Sequence, residues 1–257
     1  MKHLIAGLCA AAAVTGAASA ATFTVTVDGT DAIFLAGRID LAIPPANQPW
    51  GDKNAATDDG LRRHSGATPE EALETLPPFL TVMAGDVVRV LDPAVGGVNF
   101  FNGNAGGLFG PEGNGGAGSS NITSLGGISG YTGTQGALTG VFLSDAVPNG
   151  APPATLPFDV NAVNIAPQLG QIFYIGDGQT PGGEFRTFTA PPGATRVFFG
   201  IPDAFGFGGV PGAYDDNDGS YRVRVGINEI PEVPLPAAPL LFLSGLAGVG
   251  FLRRKKR

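Results

Sequence analysis

The sequence predicts an all-β domain, a β-sandwich of the jelly-roll kind, framed by an export signal and a C-terminal transmembrane helix. Short runs of alternating apolar residues recur along the chain, separated by Gly- and Pro-bearing turns. Gly 41 and Pro 22 make up about a quarter of the 257 residues. Yet Phe 17 and many Val and Ile are spread among them, which suits a folded domain with long Gly-rich loops better than a low-complexity chain. The two ends depart from this pattern, each being a continuous apolar stretch bordered by basic residues. The expected division is 1–20, 21–228 and 229–257, with one domain in the middle.

Lys2 and His3 precede an apolar run over residues 4–14, and Ala18-Ser19-Ala20 supplies small residues at Ala18 and Ala20 for cleavage before Ala21. That is the pattern of a secretory signal peptide. Cys9 lies inside it, behind Leu8 rather than a small residue, which argues against lipidation. The mature chain has no cysteine, so it has neither a disulfide framework nor a thiolate metal site.

Residues 22–27 alternate as a strand with Phe23, Val25 and Val27 on one face. Asp28-Gly29 and Thr30-Asp31 mark a turn, and residues 32–35 read as a second short strand. Residues 44–65 are polar and irregular, with Trp50 as a local anchor. Thr68-Pro69-Glu70-Glu71 has the form of a helix start, with Thr68 as N-cap and Glu71 closing a capping box. Pro77-Pro78 ends that helix after about two turns. Residues 79–83 and 87–91 read as a hairpin around Ala84-Gly85-Asp86. Residues 96–140 are the most glycine-dense stretch and read as surface loops with a few short strands, such as 139–143. Further strands are expected at 171–175, 195–200 and 221–227.

Nine basic and all 22 acidic residues lie between Ala21 and Glu232, a net charge of −13. That acidity argues against nucleic acid and is compatible with divalent cations, or simply with solubility after export. Enzyme chemistry is poorly supported, and no catalytic residue is assigned. His64 is the one mature histidine, no Gly-x-Ser-x-Gly elbow is present, and the Glu70-Glu71 pair is explained by helix capping. The Gly-rich runs near 103–118 lack the Lys-Ser/Thr of a phosphate loop.

The chain ends in Val233-Pro234-Leu235-Pro236-Ala237, an uncharged run to Leu252, and five consecutive basic residues. About 16 residues from Ala237 span about 24 Å as a helix, and about 20 residues from Val233 suffice for one crossing. The basic cluster places that end in the cytoplasm and the domain outside the inner membrane. These residues resemble the VPLPA variant of the PEP-CTERM sorting signal. The resemblance implies transient membrane anchoring, then cleavage near Pro234 to Pro236 by an exosortase-type enzyme and release to the cell surface or beyond.

The richest constellation of possible ligands is Ile201-Pro202-Asp203, then Val210-Pro211-Gly212-Ala213-Tyr214, then Asp215-Asp216-Asn217-Asp218. Four consecutive side chains bearing carbonyl oxygens, beside a Gly-containing turn, suit the oxygen-rich shell of Ca²⁺. A solvated acidic turn is the other reading of the same residues. Together with residues 188–191 and 197–203, this region resembles the C-terminal part of bacterial calcium-dependent galactophilic lectins, which have a galactose-binding-like jelly roll. The resemblance implies a Ca²⁺ site made by Asp203, the Ala213 carbonyl, Asp216 and Asn217, with Phe109-Gly110-Pro111 offering another carbonyl, and a glycan or extracellular polysaccharide as partner. Residues 204–209 are an insertion relative to that pattern, Asp216 stands where the family has Asn, and no histidine lies in the sugar-contacting loop.

Overall fold

A computed structural model of the chain describes residues 20–39, 74–101, 107–214 and 217–229. In chain order the strands are β1 (Ala21–Asp28), β2 (Phe79–Thr81), β3 (Val87–Asn99), β4 (Ser120–Ile122), β5 (Tyr131–Gly133) and β6 (Thr139–Leu143). They continue with β7 (Asn164–Ile165), β8 (Ile172–Tyr174), β9 (Thr187–Thr189), β10 (Arg196–Gly200), β11 (Gly208–Gly209) and β12 (Asp218–Ile227). The protein is all-β in several sheets, with orders β1-β12-β3-β9-β7, β2-β10-β6-β8 and β11-β4-β5. Short 3-10 turns lie at Ile33–Leu35 and Phe205–Phe207.

Alternation decides which face of each strand is inside. On β12, Tyr221, Val223 and Val225 are fully buried, whereas Arg222 and Arg224 point to solvent. Val25 and Val27 of β1 join them, while Phe23, nearer the strand end, is 38% exposed. An aromatic stack joins the two larger sheets. Phe188 of β9 stacks on Phe173 of β8 at 4.6 Å between centroids, and Phe173 meets Phe142 of β6 at 5.2 Å. This contact packs one sheet on the other, as in a sandwich. Gly140 pairs directly with Phe173, and a Cβ there would sit 2.6 Å from the ring.

β3 is longer than its sequence suggests because Pro93 falls within a bulge. The register against β12 shifts between Arg222↔Val95 and Arg224↔Asp92, so the missing proline N–H interrupts no ladder bond. Gly96, at φ +108°, and Gly219, at φ +87°, let β3 and β12 approach closely. A Cβ at either would lie 2.2 Å from a carbonyl oxygen across the pair.

The expected strands at 22–27, 139–143, 171–175, 195–200 and 221–227 are present, with ends shifted by a residue or a few. Three expectations are corrected. Residues 33–35 form a 3-10 turn rather than a strand, because Ala32 and Ile33 are tied to the 201 segment and Leu35 folds back onto Ala32. β2 and β3 are not a hairpin: β2 pairs with β10 and β3 with β12 and β9, so the turn at 84–86 carries the chain from one sheet to the other. The expected helix at 68–76 lies mostly outside the described residues, and its last turn is extended instead, Thr75 exchanging backbone hydrogen bonds with Thr30 and Ala32. The short β4, β7, β9 and β11 carry no alternation long enough to read.

Truncating Phe173 removes the ring that joins the sheets. Phe173→Ala is expected to cost about 3–5 kcal/mol in urea-induced unfolding. A loss below 1 kcal/mol would show that the stack does not carry the packing.

Candidate metal site

β1 runs into the turn Asp28-Gly29-Thr30-Asp31, and the Asp31 carboxylate closes it. Oδ2 accepts the Asp28 N–H at 2.8 Å, and Oδ1 accepts the Thr75 hydroxyl at 2.7 Å. The backbone of Asp31 accepts the Ile201 N–H at 2.8 Å, which brings the end of β10 against this turn. Burial pushes the Asp31 carboxyl up to about 6, against lowering by its two hydrogen bonds.

Asp203 follows two residues later and is 2% exposed. Its Oδ1 accepts the Ala204 N–H at 2.7 Å. Its backbone N–H donates to the Tyr214 hydroxyl at 3.0 Å, and that hydroxyl donates to the Ile201 carbonyl at 2.6 Å. The Tyr214 phenol is fully buried, and its ionisation is pushed well up by burial first and by the nearby Asp203 charge second. Buried Glu74 adds a further negative influence on the same phenol.

The insertion at 204–209 does not separate Asp203 from the rest of the motif. An antiparallel bridge between Ala204 and Pro211 closes its base, and the Gly212 N–H donates to the Asp203 carbonyl at 3.1 Å. The inserted residues instead form the 3-10 turn and β11, which extends the sheet of β4 and β5. Ala213 takes a left-handed backbone, φ +67°, uncommon for a residue with a Cβ and found where surroundings impose it.

Tyr214 also accepts the Asn217 N–H on its carbonyl at 3.2 Å. Asn217 Nδ2 donates to the Gly29 carbonyl at 2.8 Å, which fixes the amide's orientation. Asn217 Oδ1 is buried and has no hydrogen-bond partner. Asp203, Ala213 and Asn217 therefore belong to one hydrogen-bonded corner built from the 28–31 turn, the end of β10 and the approach to β12. Asp216, the fourth expected ligand, lies outside the described residues, as does Asp215. Among the described residues no three His, Cys, Asp or Glu side chains form a metal-binding group. The Phe109, Gly110 and Pro111 carbonyls each accept a backbone N–H, from Val98, Gly113 and Leu138.

Sequence reasoning missed the contributions of Asp31 and Glu74, and the tie from Asn217 to Gly29. Asp28-Gly29 signalled a turn, but nothing local showed that its carbonyl meets a residue 188 positions away. Of the end segments, Ala20 is exposed just before β1, whereas Ala18 and the Val233, Pro234, Leu235, Pro236 and Ala237 motif lie outside the described residues. The same holds for the expected span; among the described residues no helix is long and apolar enough to cross a membrane. Comparison with known proteins finds no matching family model, curated protein or solved structure.

The Asp31 shift has a definite sign. Its folded value, about 6, lies above the ordinary 3.8, so the protonated form is favoured by folding. That stabilisation is complete below about pH 4 and lost as pH rises through about 6. In urea unfolding at pH 4 and pH 7 in chelator, wild type relative to Asp31→Asn should lose up to about 3 kcal/mol across that window. A wild-type minus variant difference that does not change with pH would remove Asp31 as the titrating group.

Proposed function

We propose that this chain is an exported protein of the cell surface or extracellular matrix, sorted by exosortase-type processing of its tail, and that its acidic corner binds Ca²⁺. The observation that carries the calcium site is Asn217. An acceptor 3% exposed and without a donor costs about 1–3 kcal/mol if nothing meets it. A hard cation satisfies such an oxygen directly, and buried Asp203 and the acidic pair Asp215-Asp216 supply the charge that Ca²⁺ needs. A second reading, a calcium-dependent lectin-like module on a galactose-binding-like jelly roll, is favoured by one feature. The inserted residues 204–209 loop out, so Asp203 and Ala213 keep the adjacency that the lectin pattern requires.

The strand register supports the sorting reading. Ala21 pairs with Ile227, so the chain enters and leaves the domain side by side at one end of the β1–β12 pair. Removal of residues 1–20 and of the tail beyond Glu232 would leave that pairing whole. The corner lies at the other end, where Asp28 pairs with Ser220. Eight paired residues at about 3.3 Å each separate the two by about 25 Å. An anchor beginning at residue 229 would leave the calcium corner facing away from the membrane.

Thermal unfolding of the full chain in calcium and in chelator tests the site. At calcium about 100-fold above Kd, binding to the native state adds about 2.7 kcal/mol. For a domain of this size the midpoint should rise by about 5–10 °C, and Asp203→Asn or Asp216→Asn should abolish the rise. An unchanged midpoint at millimolar calcium would reduce the corner to a solvated acidic turn.

Mass spectrometry of the protein recovered from its producing cells tests the sorting. The expected species begins at Ala21 and ends within or just before residues 233–237, and Pro234→Ala with Pro236→Ala should leave the tail attached. A wild-type product carrying residues 253–257 would contradict processing.

A further inference from the structure

Two clefts lie beside β8, an edge strand of the β2-β10-β6-β8 sheet, lined by none of the acidic-corner residues, and share a wall made by Phe158 and Tyr174. The larger, about 370 Å³, is edged by Glu112, Thr134, Asp177 and Gln179, and the smaller, about 220 Å³, by Tyr131, Asp159 and Asn164. On β8, Phe173 points into the core, so alternation sends Tyr174 to the opposite face. The wall is rigidly built. Phe158 and Tyr174 meet edge to face at 4.9 Å, and the Arg186 guanidinium lies 5.2 Å from the Tyr174 ring centroid. Arg186 is fully buried and donates to the carbonyls of Val160, Ala162 and Gln179. One side chain thus ties the segment bearing Phe158 to the turn bearing Asp177 and Gln179. Glycines clear the space: a Cβ at Gly176 would lie 2.5 Å from the Tyr174 hydroxyl oxygen, and one at Gly133 2.9 Å from the Phe158 ring.

Several groups facing the larger cleft are uncommitted, although Thr134 donates to the Glu112 carbonyl. The Glu112 carboxylate, the Gln179 amide and the Tyr174 hydroxyl make no hydrogen bond among the described residues, and Asp177 uses one oxygen, accepting the Gln179 N–H at 2.8 Å. Acceptors and donors therefore stand around an aromatic wall, and among the described residues no cationic side chain lines either cleft. Carboxylates repel an anionic ligand, and the aromatic wall wants an apolar face. A ligand with C–H groups on one face and hydroxyls around its rim satisfies both demands.

We propose that the larger cleft binds a neutral pyranose unit of a polysaccharide without a metal, with the smaller cleft taking the neighbouring unit across the Phe158–Tyr174 wall. The ring packs on half-buried Phe158 and on the edge that Tyr174, 9% exposed, leaves open, and its hydroxyls donate to Glu112 and Asp177 and accept from the Gln179 amide. This site goes beyond the calcium reading and does not depend on it.

The test is affinity electrophoresis of the full chain, in a detergent without a sugar headgroup, through gels containing a β-galactan, a β-glucan or an α-mannan. Retardation by at least one polymer is expected in chelator, unchanged by Asp203→Asn. Phe158→Ala and the exposed Glu112→Gln should each weaken it at least tenfold, with the circular dichroism spectrum of Glu112→Gln unchanged. Retardation that chelator or Asp203→Asn abolishes would assign glycan binding to the calcium corner and overturn the cleft. Failure of every polymer, retardation indifferent to Glu112→Gln, or retention of a lysine-rich peptide instead would also overturn it.

Discussion

The whole arrangement depends on β12 being held on both edges. It pairs with β1 along most of its length on one side and with β3 on the other, so the last described strand is internal to its sheet and the first is its neighbour. This long-range pairing puts the Asp28–Asp31 turn and the approach to β12 at one end of a single ribbon and Ala21 beside Ile227 at the other. Because the register is fixed, Asn217 must arrive beside Gly29, and its amide closes the corner. A one-residue slip would expose Tyr221, Val223 and Val225 and bury Arg222 and Arg224, so burial selects the register strongly.

Glycines stand where a ring or a neighbouring strand's backbone comes close. Phe173 packs where Gly140 has no Cβ, Tyr174 where Gly176 has none, and β3 and β12 approach through Gly96 and Gly219. The high glycine content thus serves two ends, loop conformations with positive φ and room for aromatic rings. Arg186 shows the complementary solution for a polar group. Its burial lowers its proton affinity, yet its N–H groups reach three carbonyls, and Tyr174 and Asp177 offset part of the cost.

What was legible in the sequence followed local periodicity. Residues 24–28 and 221–225 alternate because one face of each is buried and the other wet. Residues 139–143 and 196–200 are almost wholly buried, and their apolar runs read equally well. Partnership was not legible. The 79–83 and 87–91 segments flank a good turn, but β2 finds its partner in β10, more than a hundred residues on. Strands such as Thr187–Thr189 and Asn164–Ile165 are too short to show a period and exist because a neighbour supplies the ladder. At the candidate site, Asp203, Ala213 and Asn217 were visible as residue types. Their connection through the Tyr214 hydroxyl and carbonyl, and the role of Asp31, were not, because these contacts cross from β10 and β12 to the first turn of the domain.

The corner also shows how a strongly acidic domain keeps carboxylates inside. Asp31, Glu74 and Asp203 are all buried in a chain of net charge −7, so each must be protonated, hydrogen-bonded or matched by positive charge. Asp31 takes the first two routes: it shifts toward protonation and accepts two hydrogen bonds within its own turn and from Thr75. Asp203 accepts a local N–H, and Asn217 beyond it keeps an acceptor that no donor meets. A cation at this point would answer the Asn217 oxygen. The residues that close the turn and those that would hold the ion are therefore different ones. The hydrogen bonds of Asp31 and Tyr214 that hold the corner form without an ion.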